Sequence, residues 1–520
     1  MQSISQHDFA RIPAPQIQRS SFDRSNGFKT TFDGGFIFPI FYDEALPGDT
    51  FKLDASFFCR LNTPIVPIMD NMYLETMFYE VPVRQIWNNW EKFNGEQDNP
   101  GDSTDYLIPQ MTSPATVGYQ VGSLADYFGI PTGVPDLEHS ALPFRAYNHI
   151  YNTWIRDQNL IDSVIVPKGD GPDLPIEYPL RRRGKRHDYF TSALPWPQKS
   201  DSGAVTIPLG TTAPVVGTGS PPVFDVGGSL LSLTGAAASA NVSWQANSSF
   251  TDTAEWSNPN LEADLTEATA ATINQLRQSI AVQRLFEKDA RGGTRYIEVI
   301  KSHFGVTSPD LRLQRPGFLG GGRSQVNISP VAQTQATSET VTPQANLAAI
   351  GTIQASGHGF TKSFTEHTII IGLANVRADL TYQRGLERSW SRKTRFDFYW
   401  PELATIGEQE VLQKEIYATG LEAQDDTVFG YQERFAEYRY KPSLITGKFR
   451  SVETDSLDVW HLSQDFQDAP TLSETFIEDN PPIDRCVATP DEPQFKMDAY
   501  FNLRCARPMP MYGIPGLTRL

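Results

Sequence analysis

The stretch at residues 494–506 constrains the fold most strongly, because apolar and polar residues alternate along it without a break. Positions 495, 497, 499, 501, 503 and 505 are apolar, and Lys, Asp, Tyr, Asn and Arg stand between them. Successive side chains of a strand point to opposite faces, so this pattern predicts a strand with one buried side. Residues 50–60 alternate in a similar way, which predicts a matching strand near the other end of the chain.

Further strands are predicted at 35–41 and 72–81, and later at 367–382, 394–400 and 430–442. Helical periodicity instead marks three insertions, at residues 83–93, 143–158 and about 265–290, the last ending at Gly292 and Gly293. The abundance of turn formers and aromatics, with 38 Gly, 38 Pro and 31 Phe, argues against a helical bundle. We therefore predict a mainly β protein, a single antiparallel sandwich whose first and last strands pair non-locally.

Charge limits the partners that this chain can have. With 44 basic and 61 acidic residues the net charge is −17, so a basic site has to be local. The strongest local cluster is RRRGKR, which contains Arg181, Arg182, Arg183, Lys185 and Arg186 and is followed by Tyr189 and Phe190. Such a patch can bind phosphates while the aromatic rings stack on bases. The alternative is a loop that pairs with acidic residues of its own or a neighbouring subunit, with the two aromatic rings in the core. The sequence does not decide between these two interpretations.

Other basic residues give weaker indications. The arm at 1–34 is extended and mildly basic, and its Arg11, Arg19 and Arg24 are secondary candidates for DNA contact. A run at 384–395 is interrupted by Glu387 and Trp390, which favours a salt-bridged structural segment. The glycine-rich stretch at 317–324 resembles a phosphate-binding loop, but Arg323 replaces the required Lys and the exit is extended, so we interpret it as a flexible turn.

Motifs for catalysis or metal binding are not evident in the sequence. The eight histidines form no HExxH motif, and His149 fits better as a packed residue of the second helix than as a ligand. Cys59, Cys486 and Cys505 are too few for a disulfide framework, and we expect them to be buried in a protein made in a reducing compartment. The N-terminal segment does not have the pattern of a secretory signal. We predict no enzymatic activity, no cofactor and no metal.

Two segments differ from the rest in composition. Residues 201–250 carry only Asp201 and Asp225 as charged residues, with many Gly, Ala, Ser and Thr, which indicates a protruding, loop-rich β insertion. Residues 325–358 have Glu339 as their only acidic residue and are predicted to be a long loop. The predicted organisation is a basic arm (1–34), the first strands with helical insertions (35–200), the protrusion (201–260), a helix with long loops (261–365) and the remaining strands (366–520), with 35–200 and 261–520 forming one domain.

Several long stretches together resemble a known family. They are SSFDRSNGFKTTFDGGFIFPIFYDEALPGDTF near the start, LPFRAYNHIYNTWIRDQNL at 142–160, RRRGKRHDYFTSALPWPQK at 181–199, SHFGVTSPDLRLQRPGFLGGG, ERSWSRKTRFDFYWPELATIGEQEV and the closing PMYGIPGL. These stretches are similar, in the same order, to the major capsid protein of gokushoviruses, small single-stranded DNA bacteriophages of the Microviridae. The resemblance covers nearly the whole chain except about 201–260.

The resemblance implies an eight-stranded viral jelly roll with long inserted loops and several helices. It implies a virion component, assembled in the host cytoplasm with copies of itself into a T=1 shell around a circular single-stranded DNA genome. The implied partners are a small basic DNA-binding protein, an internal scaffolding protein, a DNA pilot protein and a host cell-surface receptor. Residues 201–260 would form a protrusion at the three-fold axes, with Phe224, Trp244 and Phe250 as candidates for host contact. The alternative is a phage-associated β protein that binds or hydrolyses glycans.

Overall fold

The computed structural model describes residues 18–197, 199, 273–293, 295–305, 313–337 and 343–512, together with the backbone of short strands between 215 and 263. The chain divides into two compact units. The first contains Met1–Pro197 and Val306–Leu520, and the second contains Gln198–Gly305. Residues 261–305 fall within the second unit.

Strands dominate the described part of the chain. In chain order they are β1 (Ser20–Asp23), β2 (Asn26–Phe32), β3 (Phe36–Ala45), β4 (Thr50–Leu61), β5 (Met72–Pro82), β6 (Gln110–Thr112), β7 (Glu138–Ser140), β8 (Arg181–Arg182), β9 (Val215–Gly217), β10 (Val223–Val226), β11 (Ser229–Ser232), β12 (Glu255–Trp256), β13 (Leu261–Ala263), β14 (Gly317–Gln325), β15 (Asn327–Ala332), β16 (Leu347–Ser363), β17 (Thr368–Ala378), β18 (Glu408–Leu412), β19 (Val428–Glu433) and β20 (Phe495–Arg507).

Most helices are short. They are α1 (Trp90–Phe93), α2 (Leu124–Tyr127), α3 (Leu142–Ile150), α4 (Ile273–Gly292), α5 (Tyr296–Phe304), α6 (Gln413–Ile416), α7 (Glu422–Asp425) and α8 (Glu474–Ile477). A π-helical turn, Tyr151–Ile155, extends α3. Single 3-10 turns lie at Val83–Gln85, Pro175–Glu177, Arg388–Ser391, Arg395–Asp397, Pro401–Leu403, Ala436–Tyr438, Gly447–Phe449, Asp458–Trp460 and Ile483–Arg485.

Two antiparallel sheets form the centre of the first unit. The first sheet has the order β1-β20-β4-β16-β15, with β2 also paired to β20, and the second has the order β14-β5-β17-β3-β8. Strand β20 pairs with β4 through Phe501 and Ala55, and with β2 through Phe501 and Asn26. The predicted non-local pairing of the first and last strands is therefore confirmed.

The two sheets pack face to face through aromatic side chains. Phe41 of the second sheet lies 5.3 Å from Phe501 of the first, and Phe78 lies 5.6 Å from Phe360, measured between ring centroids. The apolar positions of β4 and β20 that alternate in the sequence all belong to this core. Burying each large apolar side chain contributes about 1.5–3 kcal/mol, so this interface is the main source of stability of the sandwich. The prediction of a mainly β jelly roll is confirmed.

Helical insertions cover the other face of the second sheet. Phe144 and Tyr147 of α3 are buried in a second core together with Trp87 and the outward side chains of β5 and β17. The helix predicted at 143–158 is present as α3 and its π-helical extension. The continuous helix predicted at 83–93 is wrong. Its apolar residues pack as expected, but Asn88 and Asn89 bond to the backbone of Lys168 and the carboxylate of Asp170, and they separate a 3-10 turn from α1.

Three predicted loops or strands have a different structure. The glycine-rich stretch is strand β14 and not a turn, because its glycines let β5 and β16 approach closely, with Gly321 against the carbonyl of Thr76. The long loop predicted at 325–358 is largely the pair β15 and β16, whose small and polar residues gave no apolar signal. The strand predicted at 394–400 is wrong, because this segment contains the 3-10 turn Arg395–Asp397 and leads into a second one, Pro401–Leu403.

Two smaller predictions, on the end of helix α4 and on the burial of the cysteines, are confirmed. Helix α4 ends at Gly292, followed by Gly293 at a φ of +97°, and the residues before Ile273 lie outside the described part. All three cysteines are buried and carry free thiols. Among the described helices, none combines the length and apolar character needed to span a bilayer.

Candidate functional site

The basic cluster singled out in the sequence crosses the edge of the second sheet. Arg181 and Arg182 form β8, which pairs with β3 through Ile37 and Phe36. The guanidinium of Arg182 stacks 3.9 Å from the ring centroid of Phe36 and donates to Asn480 at 3.0 Å. Because the following residues continue along the outer side of the sheet, Arg183 and Arg186 come to lie over β5 and β17.

Glu75 of β5 is the centre of this arrangement. Its carboxylate accepts from Arg183 at 2.6 Å and from Arg377 of β17 at 2.7 Å, and it also pairs with Arg186 at 3.2 Å. Arg323 of β14 completes the set at 3.8 Å. Burial alone would raise the pKa of Glu75, but the charges of Arg183 and Arg377 outweigh burial and hold that pKa below its usual value. We call these five residues the Glu75 cluster.

Lys185 and Asp479 lie next to the Glu75 cluster, deeper in the protein. The ammonium of Lys185 donates to Gln464 at 2.9 Å and sits 4.3 Å from the ring centroid of Phe476. Burial lowers the pKa of Lys185 to about 8. Burial likewise raises the pKa of Asp479 to about 6, although Arg377 and Lys185 oppose the shift. Both groups are thus buried within the fold, at 8% and 1% exposure, and bind partners of the same chain.

Tyr189 and Phe190 belong to a third core. The hydroxyl of Tyr189 donates to Glu415 at 2.8 Å, and the ring of Phe190 meets Tyr382 edge-on at 5.2 Å. Both side chains are only 4% exposed, so in this conformation neither ring is available to a base. Tyr189 and Phe190 therefore lie in the core, which agrees with the second interpretation of the basic cluster. In agreement with it too, Arg183 and Arg186 pair with acidic residues of their own subunit.

The remaining predicted site residues are scattered. Arg19 is exposed and donates to Thr50 at 3.2 Å, and Arg24 pairs with Asp43 at 2.6 Å. The backbone of Phe224 lies in β10. Three predicted site residues lie outside the described residues: Arg11, Trp244 and Phe250.

The second basic run is a salt-bridged segment, as predicted. Arg384 binds Asp465 at 2.6 Å, and Arg388 binds Glu415 at 2.8 Å. His149 packs in α3 beside Gln85, and burial lowers its pKa to about 4. Within the described ranges, no three His, Cys, Asp or Glu side chains come together in a way that suits a metal ion.

Sequence reasoning missed the partners of the basic cluster. Glu75, Arg377 and Asp479 are distant from residue 181 in the chain, and only the pairing of β5 with β17 brings Glu75 opposite Asn375 and beside Arg377. A signal was present, because charged residues stand inside two largely apolar strands: Glu75 and Glu80 in MYLETMFYEV, and Arg377 in TIIIGLANVRA. Such residues need a partner when a second layer covers them.

An antiparallel jelly roll with long insertions is an architecture that viral shell proteins share with other protein classes, so the class is decided by comparison with known proteins. The chain matches the family model described as capsid protein (F protein) over residues 10–517. It is 51% identical over 529 residues to the capsid protein VP1 of Bdellovibrio phage phiMH2K, with 98% of each chain covered. It is 44% identical to the capsid protein VP1 of Chlamydia phage 1 (100% of this chain and 99% of the relative), and 38% identical to that of Spiroplasma virus 4 (99% and 98%).

The chain belongs to this family of phage capsid proteins. It is a major capsid protein of Microviridae phages and a component of the virion. Membership of a structural family also favours the capsid prediction over a glycan-binding or glycan-hydrolysing protein, and it points to a non-enzymatic role.

Proposed function

We propose that copies of this protein close into a T=1 icosahedral shell around a circular single-stranded DNA genome. Self-assembly is supported by a set of aromatic side chains on neighbouring segments of the first unit, each of which is about half exposed or more. Trp390 is the most exposed of them, at 77%. The set consists of Trp390, Phe396, Phe398, Tyr399, Trp400 and Tyr438. Large apolar surfaces of this kind mark contacts with other proteins, and a shell buries them between copies.

Assembly is tested with Trp390→Ser, because that side chain contributes little to the isolated subunit. We expect fewer shells in negative-stain micrographs and in sedimentation, with an unchanged urea unfolding curve. Val121→Ser is the control, since Val121 is 80% exposed but lies outside the aromatic set. If wild-type protein remained a stable monomer when scaffolding partners are present, the proposal would be wrong.

The enclosed genome is tested on purified particles. We expect their nucleic acid to resist an exonuclease that needs a free end and to be degraded by an endonuclease specific for single strands. A subunit charge of −17 opposes packing of a polyanion, so positive charge has to come from the inner wall and from a small basic protein or polyamines. The internal scaffolding protein and the DNA pilot protein complete the proposed set of viral partners.

Arg181, Arg182, Arg183, Lys185 and Arg186, and Arg11, Arg19 and Arg24 of the arm, remain proposed DNA contacts. Among the described residues of this set, Arg19 is the best placed, because its side chain is exposed at the surface. The contacts of Arg183, Lys185 and Arg186 within the subunit instead favour a structural role for these three. Replacing Arg19 with Gln should reduce the DNA content per particle more than replacing Arg186.

Residues 201–260 are proposed to project outward and to bind a host cell-surface receptor, with Phe224, Trp244 and Phe250 as contact candidates. The support is their low charge and lack of long apolar periodicity, which leave them little to contribute to a shared core. Deleting 201–260 should leave particles intact and reduce adsorption to host cells. Loss of assembly on deletion would contradict this role.

A further inference from the structure

The outer face of the first sheet is bare, in contrast to the outer face of the second sheet. Every second residue of β4 and β20 is exposed there, and Asp126 of α2 lines the same surface groove as Phe58 and Arg60. Two of these side chains are aromatic, with Phe58 52% exposed and Tyr500 54% exposed. We call this surface the bare face, formed by the outward residues of β1, β2, β4 and β20.

The charges of the bare face include both opposite-charge and like-charge neighbours, since Lys29 contacts Asp498 at 3.2 Å and Asp23 stands opposite Arg504. In the register of β4 with β20, Lys52 stands opposite Arg504 and Arg60 stands opposite Lys496. Like charges directly opposite each other on antiparallel strands destabilise a sheet. The outward positions of these four strands carry five basic and three acidic residues, a local charge of +2 on a chain of −17: Lys29, Lys52, Arg60, Lys496 and Arg504 against Asp23, Asp54 and Asp498.

The two aromatic rings lie between these basic pairs. Tyr500 has Gly27 on one neighbouring strand and Ser56 on the other, so small residues flank its ring. Phe58 stands opposite Asp498 and is therefore the diagonal neighbour of Tyr500 on the same face. Paired aromatic rings on an open sheet surface are a platform on which single-stranded nucleic acids stack their bases.

We propose that the bare face binds single-stranded DNA, with Phe58 and Tyr500 stacking on bases and Lys52, Arg60, Lys496 and Arg504 contacting phosphates. This inference rests on the proposed function, in which the shell encloses such a genome. A single strand fits better than a duplex, because the bases of a duplex are already stacked. A second copy of this chain fits poorly, because a symmetric contact through this face would bring like charges together. Contact with phosphates and ring faces is independent of base sequence.

The test uses the full-length subunit and a fluorescent 30-nucleotide oligo(dT), with binding followed by anisotropy at several salt concentrations. The double variant Phe58→Ser/Tyr500→Ser should bind about 5- to 150-fold more weakly for each stacked base lost. The double variant Lys52→Gln/Arg504→Gln should reduce the slope of log affinity against log salt by about 1.4. Lys448→Gln and Tyr512→Ser, which change exposed residues elsewhere, are the matched controls.

The outcomes separate this inference from the proposed function. If particles contain single-stranded DNA but the bare-face variants bind oligo(dT) and package DNA like wild type, the inference is wrong and the proposed function stands. If wild-type particles contain no single-stranded DNA, the proposed function fails. If the variants alter subunit association and leave DNA binding unchanged, the face contacts protein and the inference is overturned. A selective loss of DNA binding and of packaged DNA supports it.

Discussion

Replacing Glu75 with Gln removes the carboxylate that the four arginines of the Glu75 cluster share, and of these four Arg186 also pairs with Asp379 at 2.8 Å. Arg183, Arg377 and Arg186 approach it at 2.6, 2.7 and 3.2 Å. At an effective dielectric constant of about 20, two unit charges about 4 Å apart interact by about 4 kcal/mol. Removing one partner of a buried ion pair costs about 3–5 kcal/mol, because the remaining charge stays desolvated. We expect Glu75→Gln to lower the free energy of unfolding of the first unit by that amount.

The pH dependence gives this prediction a second signature. The pKa of Glu75 is lowered in the folded state, so its ionised form stabilises the fold above the unfolded-state value of about 4.3. That contribution is lost as the pH falls below about 4.3 toward the folded-state pKa. The variant should therefore lose less stability than wild type over this acidic range.

Urea unfolding followed by tryptophan fluorescence is the suitable assay, because urea, unlike guanidinium, does not screen ion pairs. Glu492→Gln is the matched control, since Glu492 pairs with Lys496 at 3.3 Å on an exposed surface. The control should change stability by less than about 1 kcal/mol. A loss for Glu75→Gln no larger than that of the control would refute the structural role of the Glu75 cluster.

Three further changes test other parts of the sandwich. Arg145→Met should lower the free energy of unfolding by about 3–5 kcal/mol, measured by urea unfolding, because it leaves the carboxylate of Asp173 buried without its bidentate partner at 2.6 and 2.7 Å. Asp479→Asn should raise stability at pH 7, by up to about 3 kcal/mol, and remove the unfavourable contribution that Asp479 makes to wild-type stability as the pH rises from about 4 to 6. The buried carboxyl keeps its proton up to about pH 6 in the folded state, and thermal melts at several pH values measure both effects. Gly359→Ala should lower the melting temperature, because its Cβ would meet the backbone carbonyl of Leu53, whereas Gly27→Ala should have little steric effect.

The strands that the sequence predicted best are those with one apolar and one polar face. The alternation in β4 and β20 is visible locally, because every second residue enters the same core. Strands β15 and β16 escaped prediction because much of their surface is exposed and built from Gly, Ala, Ser and Thr, which carry no periodic apolar signal. The 394–400 segment misled in the opposite direction, since its aromatics resemble a strand but lie exposed on and after a 3-10 turn at the surface.

The candidate site was predictable only in part. A run of five basic residues is evident in the sequence, and so is its ambiguity between a phosphate site and a set of ion pairs. What decides its contacts is the position of Glu75, more than 100 residues away, and of Arg377, nearly 200 residues away, which meet only through the pairing of two strands. No local property of residues 181–186 contains that information.

Because β20 lies between β4 and the pair β1 and β2, its position determines when the sheet can form during synthesis. Asn26 reaches its partner Phe501 only after the ribosome has released nearly the whole protein, so the N-terminal strands must wait for the last strand before they join the sheet. Pairing over such a sequence separation is slow. A chain that ends before residue 495 leaves β4 with an open edge, and β1 and β2 with no strand to pair with. Translation products that lack β20 therefore cannot complete the sandwich.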